Sequence, residues 1–174
     1  LAERMGNEHY YSWLNQFFYD LTVPTLETKA EIYQYVGDEV VFTWKARSGI
    51  RKNRCLELFY RIKGVVHKHK SMYEEKFGEV PVFKAGMHVG MAVSAEVGYL
   101  KKSIVYSGDV LNATARIQSL CNKHEAEMLI SQQLADRLNL KDHHVQSLGT
   151  VALRGREESL ELVKVEPPSG QPGT

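Results

Sequence analysis

Tyr106-Ser107-Gly108-Asp109-Val110-Leu111-Asn112-Ala113-Thr114-Ala115-Arg116-Ile117-Gln118-Ser119-Leu120 is the stretch on which the reading of this chain turns. Gly108 and Asp109 open a helix. Asn112 and Arg116 stand four residues apart, so they project from one face, a turn from each other. Leu111, Ile117 and Leu120, with the small Ala113 and Ala115, supply a packing surface around them. An amide and a guanidinium on one helix face suit a sugar oxygen and a phosphate. The same pattern also describes a solvated polar stripe on an amphipathic helix. The helix alone does not separate the two.

Just upstream, Lys101-Lys102-Ser103-Ile104-Val105-Tyr106 reads as a hairpin arm that feeds the helix. Before it, Pro81-Val82-Phe83-Lys84-Ala85-Gly86-Met87-His88-Val89-Gly90-Met91-Ala92-Val93 reads as a strand, with glycines where backbone approaches closely. His88, inside that apolar strand, reads as a hydrogen-bonded structural histidine rather than a catalytic one. Downstream, Glu127–Ile130 is a short strand and Ser131 caps a short helix to about Leu138. Two last strands, near Val145–Leu153 and Ser159–Val165, flank the turn Arg154-Gly155-Arg156-Glu157-Glu158.

The N-terminal part carries Tyr10, Trp13, Leu14, Phe17, Phe18 and Leu21 at helical spacing to about Thr28, with Pro24 marking a break or a new first turn. These aromatics read as core. Glu31–Trp44 is rich in β-branched and aromatic residues and is interrupted by Gly37-Asp38-Glu39, which predicts a hairpin with Asp38 at its tip. A Gly-Asp turn serves any hairpin, so a purely structural Asp38 stays open. A long helix is expected from about Arg51 to Lys76, with Leu56, Phe59, Ile62, Val66 and Tyr73 on one side. His67 and His69 lie two apart, off a common helix face, and read as solvated rather than as metal ligands.

A chain of 174 residues suits one domain with a substantial core, expected over residues 1–166. Apolar residues at 43% and charged residues at 25% are ordinary for a globular protein. A net charge of +1 gives no ground for nucleic-acid binding. Cys55 and Cys121, without CxxC spacing, read as reduced thiols of a cytoplasmic domain, with a single disulfide left open. No apolar run reaches membrane-spanning length. The tail from Pro167 to Thr174 is rich in Pro, Gly and Ser and is expected to be disordered. The alternation of elements, without a Rossmann or P-loop signature, fits an α+β fold: a largely antiparallel sheet with helices packed on it.

Four landmarks, in order, resemble class III nucleotidyl cyclases of bacterial type, the family that makes cyclic AMP or cyclic GMP. They are Tyr35-Val36-Gly37-Asp38-Glu39, then Lys84-Ala85-Gly86-Met87-His88-Val89-Gly90, then Ser107-Gly108-Asp109 through Asn112 to Arg116, then Leu153-Arg154-Gly155. The helix is the most specific of them. The resemblance implies a ferredoxin-like mixed α+β sheet. It implies the conversion of ATP or GTP to a 3′,5′-cyclic nucleotide and pyrophosphate with two Mg²⁺ or Mn²⁺ ions. In its terms Asp38 looks like the second of two metal-binding aspartates. Asn112 looks like the residue that orients the ribose, and Arg116 the one that stabilises charge at the reacting phosphate. Arg154 stands where the family has a lysine facing the terminal phosphates, which keeps the charge but changes its geometry. Lys101 lies near a basic position that the family presents to the phosphates.

Two departures from the family pattern bear on activity. The first metal aspartate belongs to a strand ahead of the helix that begins here, and the chain as given lacks that strand. The expectation is therefore an N-terminally incomplete domain with half a metal site, whose activity as given is open. At the purine-reading positions stand Gln34, which both donates and accepts, and Val105, which does neither. The purine is left open by these two positions, with ATP favoured over GTP because adenylyl cyclases dominate the bacterial members that this chain most resembles. In the family the metal face and the Asn/Arg face come from opposite subunits, so the resemblance implies a homodimer with shared sites, regulated by an upstream sensor or membrane domain. A catalytically silent cyclase-like module that dimerises or binds nucleotide is the alternative. The hairpin reads Gly37-Asp38-Glu39-Val40, without the Gly-Gly-[Asp/Glu]-[Asp/Glu]-Phe turn of diguanylate-forming enzymes.

Overall fold

The computed structural model describes residues 2–99, 103–152 and 159–168. The fold is α+β, and the chain forms two compact units, one within residues 2–82 and the other Phe83–Pro168.

The first unit begins with α1 (Ala2–Met5), α2 (Asn7–Asp20) and α3 (Thr22–Thr28). Pro24 is the third residue of α3, where its missing N–H falls among donors that a helix start leaves unpaired anyway. The Thr25 and Thr28 hydroxyls donate to the carbonyls of Leu21 and Pro24, both at 2.7 Å, so two polar side chains are buried without cost to the helix. The hairpin follows: β1 (Glu31–Val36) and β2 (Glu39–Thr43) pair antiparallel through a turn at Gly37 and Asp38. Gly37 takes a φ of 63°, a conformation that favours glycine. The register shifts between Ile32 and Gln34, so a bulge re-aims the residues that precede the turn.

After α4 (Ala46–Ile50) and a 3-10 turn (Arg51–Asn53), the expected long helix is divided into α5 (Arg54–Lys68) and α6 (Lys70–Phe77). It starts late because Lys52 and Asn53 hold positive φ angles. It breaks at His69, whose backbone leaves the helical region. The His69 side chain is not simply solvated. Its Nδ1–H donates to Asp20 Oδ2 at 3.0 Å. Asp20 ends α2, where the helix dipole opposes a negative charge, and its side chain is only 1% exposed. Gln16 donates to its other oxygen at 3.1 Å and the buried Tyr73 hydroxyl donates at 2.7 Å, so the carboxylate is satisfied. Around it Trp13, Leu14, Tyr73 and Phe77 form a core, each contributing about 1.5–3 kcal/mol by burial.

The second unit holds a four-stranded sheet in the order β3 (Ala85–Met87), β6 (Met128–Ser131), β8 (Ser159–Glu166), β7 (His144–Ala152). β3 and β6 are parallel and the other neighbours antiparallel. Every residue of β6 is buried. Separately, β4 (Val93–Val97) and β5 (Ser103–Ser107) form an antiparallel hairpin. The helix α7 (Asp109–Ser119) packs on β3, and Ile117 joins Cys121, Ala126, Leu129 and Leu162 in the core. Both cysteines are buried and reduced. The short helix α8 (Gln132–Ala135) stops earlier than expected, and Ser131 caps it, its Oγ accepting from the Leu134 N–H at 3.3 Å.

The strand expected over Pro81–Val93 is confined to Ala85–Met87, and pairing resumes only at Val93. The segment between bends across the start of α7: a Cβ on Gly108 would meet the Met91 carbonyl oxygen at 2.9 Å. Ala115, expected to pack, is exposed. Among the described residues no helix is long and apolar enough to cross a membrane.

Candidate active site

The Asn112/Arg116 pair is built by what holds α7 in place. Gly108, at φ 142°, precedes the helix, and Asp109 in the first turn carries the charge that a helix N-terminus favours. On the buried side, Ala113 and Ile117 face the core. Gly86 of β3 lets the helix approach so closely that an added Cβ would lie 2.4 Å from the Gln118 backbone nitrogen. The opposite side presents Asn112, exposed, and Arg116, half-buried. Both are held on one rigid face, as their spacing requires. Val105 lies on β5, opposite Ala95 and partly exposed.

In the first unit, Asp38 is exposed at the turn between β1 and β2, and Gln34 is exposed on β1. The Tyr10 phenol is held above its usual pKa, first by desolvation and then by the negative charge of Asp38, so that carboxylate sits within electrostatic reach of α2. Gln34 and Asp38 thus share one hairpin, and Val105, Asn112 and Arg116 share one helix and the strand before it. Lys101 and Arg154 lie outside the described residues. Among the described residues no cluster of three or more His, Cys, Asp or Glu is poised to hold a metal ion.

His88 carries the structural role expected of it, and more than the sequence disclosed. Its Nδ1 lies 2.8 Å from Ser131 Oγ, across 43 residues of chain. Burial lowers the pKa of the imidazole, and the charge of Asp109 partly opposes that shift. Ser131 had a local signal for its role as a cap, but none for this second partner.

Residues 2–164 match the model of the adenylate and guanylate cyclase catalytic domain. The chain is 31% identical over 166 residues to adenylate cyclase 2 of Rhizobium meliloti (strain 1021), covering 95% of this chain and 46% of that protein. It therefore spans about half the length of that curated relative. The fold matches the adenylyl cyclase CyaB from P. aeruginosa with a TM-score of 0.79 at 18% identity, covering 99% of this chain and 90% of the other. It matches the guanylyl cyclase Cya2 with a TM-score of 0.80 at 17% identity, covering 97% and 86%. The expected α+β cyclase fold is the observed one.

Proposed function

Since the chain belongs to the adenylate and guanylate cyclase catalytic domain family, we propose that it cyclises ATP, in preference to GTP, at a site shared across a homodimer. The observation that carries this reading is the face of α7, where an exposed amide and a half-buried guanidinium stand one turn apart on a helix locked to its sheet. In the reaction the ribose 3′-oxygen bonds to the α-phosphorus and the link from that phosphorus to the β-phosphate breaks. Pyrophosphate departs and the hydroxyl proton passes to water. Asn112 orients the ribose by its amide, which both donates and accepts. Arg116 offsets charge that grows on the reacting phosphate, a contribution that needs a donor fixed in advance.

Asp38 offers an exposed carboxylate on a tight turn, the hard oxygen donor that Mg²⁺ or Mn²⁺ takes. Such ions are commonly held by one or two carboxylates, with substrate phosphates and water completing the shell, so Asp38, which belongs to no three-residue cluster of such donors among the described residues, suits them. When bound, a pair of these ions acidifies the ribose 3′-hydroxyl and neutralises the triphosphate. Arg154 and Lys101 are assigned to the phosphates, and Gln34 with Val105 to the purine. The choice of ATP rests on the adenylate cyclase relative. Assembly as a homodimer is supported by the β4–β5 hairpin, which leaves Val93, Val97 and Ile104 exposed, with Met91 and Tyr99 more than nine-tenths exposed at its ends. We extend the proposal to a cytoplasmic location under an upstream sensor or membrane segment, in keeping with a chain that spans about half the length of its curated relative.

The test is a cyclase assay with Mn²⁺ and each nucleotide, on the protein extended upstream of Leu1, with its oligomeric state measured by sedimentation. Cyclic AMP should exceed cyclic GMP. A confirmed dimer that makes neither product would leave the silent module as the reading. Mixing an Asp38→Asn chain with an Arg116→Ala chain should restore about a quarter of wild-type turnover, because half the dimers then hold one intact site.

A further inference from the structure

Resting on the cyclase reading, we propose that His88 is a positioning residue that fixes the start of α7, and thereby the aim of Asn112 and Arg116, by tying Ser131 to the first turn of that helix. The topology sets this up. β3 and β6 run parallel, and their last pair is Met87 with Ile130, so His88 and Ser131 follow side by side as both strands end. The Ser131 oxygen already accepts from the Leu134 N–H. Of the two tautomers, we take the one in which the Ser131 hydroxyl donates to His88 Nδ1 and the imidazole proton stays on Nε2.

Nε2 faces the first turn of α7. A Cβ on Gly90 would lie 3.5 Å from Nε2 and 3.3 Å from the Val110 side chain, so the ring and the helix start share one small space. Asp109, the first residue of α7, is the charged group acting on His88 from that helix. From β6 and α8 the facing group is the uncharged Ser131 hydroxyl. Gly86, His88 and Gly90 occupy alternate positions of one segment. Gly86 seats the C-terminal half of α7 at Gln118 and Gly90 seats its beginning at Val110, with the histidine between. Asn112 comes one turn into the helix, so a tilt at Asp109 moves its amide directly. Displacements of about 1 Å in a catalytic group cost on the order of 10²-fold in rate.

Protonation of His88 at low pH removes the acceptor that Ser131 uses and reverses that hydrogen bond. The test combines two measurements on the protein with its natural flanking segments. In hydrogen exchange, His88→Ala should raise the rates of the Asn112–Ala115 amides, the first to bond within α7, at least tenfold while β6 and β8 are unchanged. In the cyclase assay the same change should lower kcat about tenfold or more with KM little altered. His88→Gln, which keeps a group on the Nε2 side, should recover more activity than His88→Asn, and should lack the acid loss of kcat expected of the wild type as His88 protonates, at a pH below the ordinary histidine value. Ser131→Ala should reproduce the exchange signature in a milder form, which covers the case of an unfolded alanine variant. Unchanged exchange at the start of α7, or an unaltered kcat and acid limb, would overturn the proposal. An inactive wild type with faster α7 exchange in the variants would instead refute the cyclase reading and leave the anchor standing.

Discussion

Asn112 is open to solvent and Arg116 half-buried, on the side of α7 away from the buried Ala113 and Ile117. Replacing Asn112 with alanine should therefore change stability by no more than about 0.5 kcal/mol. Either alanine variant should lower turnover by roughly 10²-fold or more, the usual loss for one donor aimed at developing charge. Thermal melts and a product assay separate the two effects. Other single residues are quieter. Burial pushes the Cys55 thiol up to about 11 and also raises that of Cys121, so both should resist iodoacetamide at pH 8 until the protein unfolds. For His88 the sign follows from its lowered pKa. Between the folded value and the ordinary 6.5, the unfolded chain takes up a proton that the folded chain does not. Stability should therefore fall as pH drops through that interval, and His88→Gln should flatten this part of a denaturation profile. The sequence displayed the Asn/Arg pair because helical spacing is local. It could not display the Ser131 contact, which depends on two strands from distant parts of the chain ending together.

At the scale of elements, glycines act as seats. Gly86→Ala would place a carbon against the Gln118 backbone, which has no side-chain freedom to yield, so urea denaturation should show a loss at the upper end of about 1–3 kcal/mol. Tyr73→Phe would remove one donor from the buried Asp20 carboxylate and should cost about 1–3 kcal/mol. Both hairpins, α7 and the Ser131 cap were legible because turn chemistry, periodicity and capping are short-range signals. The brevity of β3 was not, since it is the approach of Met91 to Gly108 that bends the chain away from its neighbour. Nor was the break at His69, where a side chain leaves its helix to satisfy an aspartate 49 residues away. In each case the local pattern was sound, and a distant backbone or charge ended the element.

For the molecule as a whole, the exposed apolar residues of the β4–β5 hairpin are the outstanding unburied surface of the second unit. Ile104 is 61% exposed, so Ile104→Lys should leave the monomer folded. The same change should shift sedimentation towards monomer and abolish turnover with it, if two chains build each site. The class of fold could be read from the order of elements. The division into two compact units had no sequence signal, because no linker composition marks the passage through Val82 and Phe83.

The wholly buried β6 has a kinetic meaning. One neighbour, β3, arrives from far upstream and the other, β8, from far downstream, so the sheet cannot close until two long loops have formed. Formation of β6 is thus expected to be a late, rate-limiting event in refolding of the second unit, visible as slow burial of Met128–Ser131 while the β4–β5 hairpin pairs early. During synthesis the Asn/Arg helix leaves the ribosome before β8, and so must wait for the last strand before its lasting orientation is set.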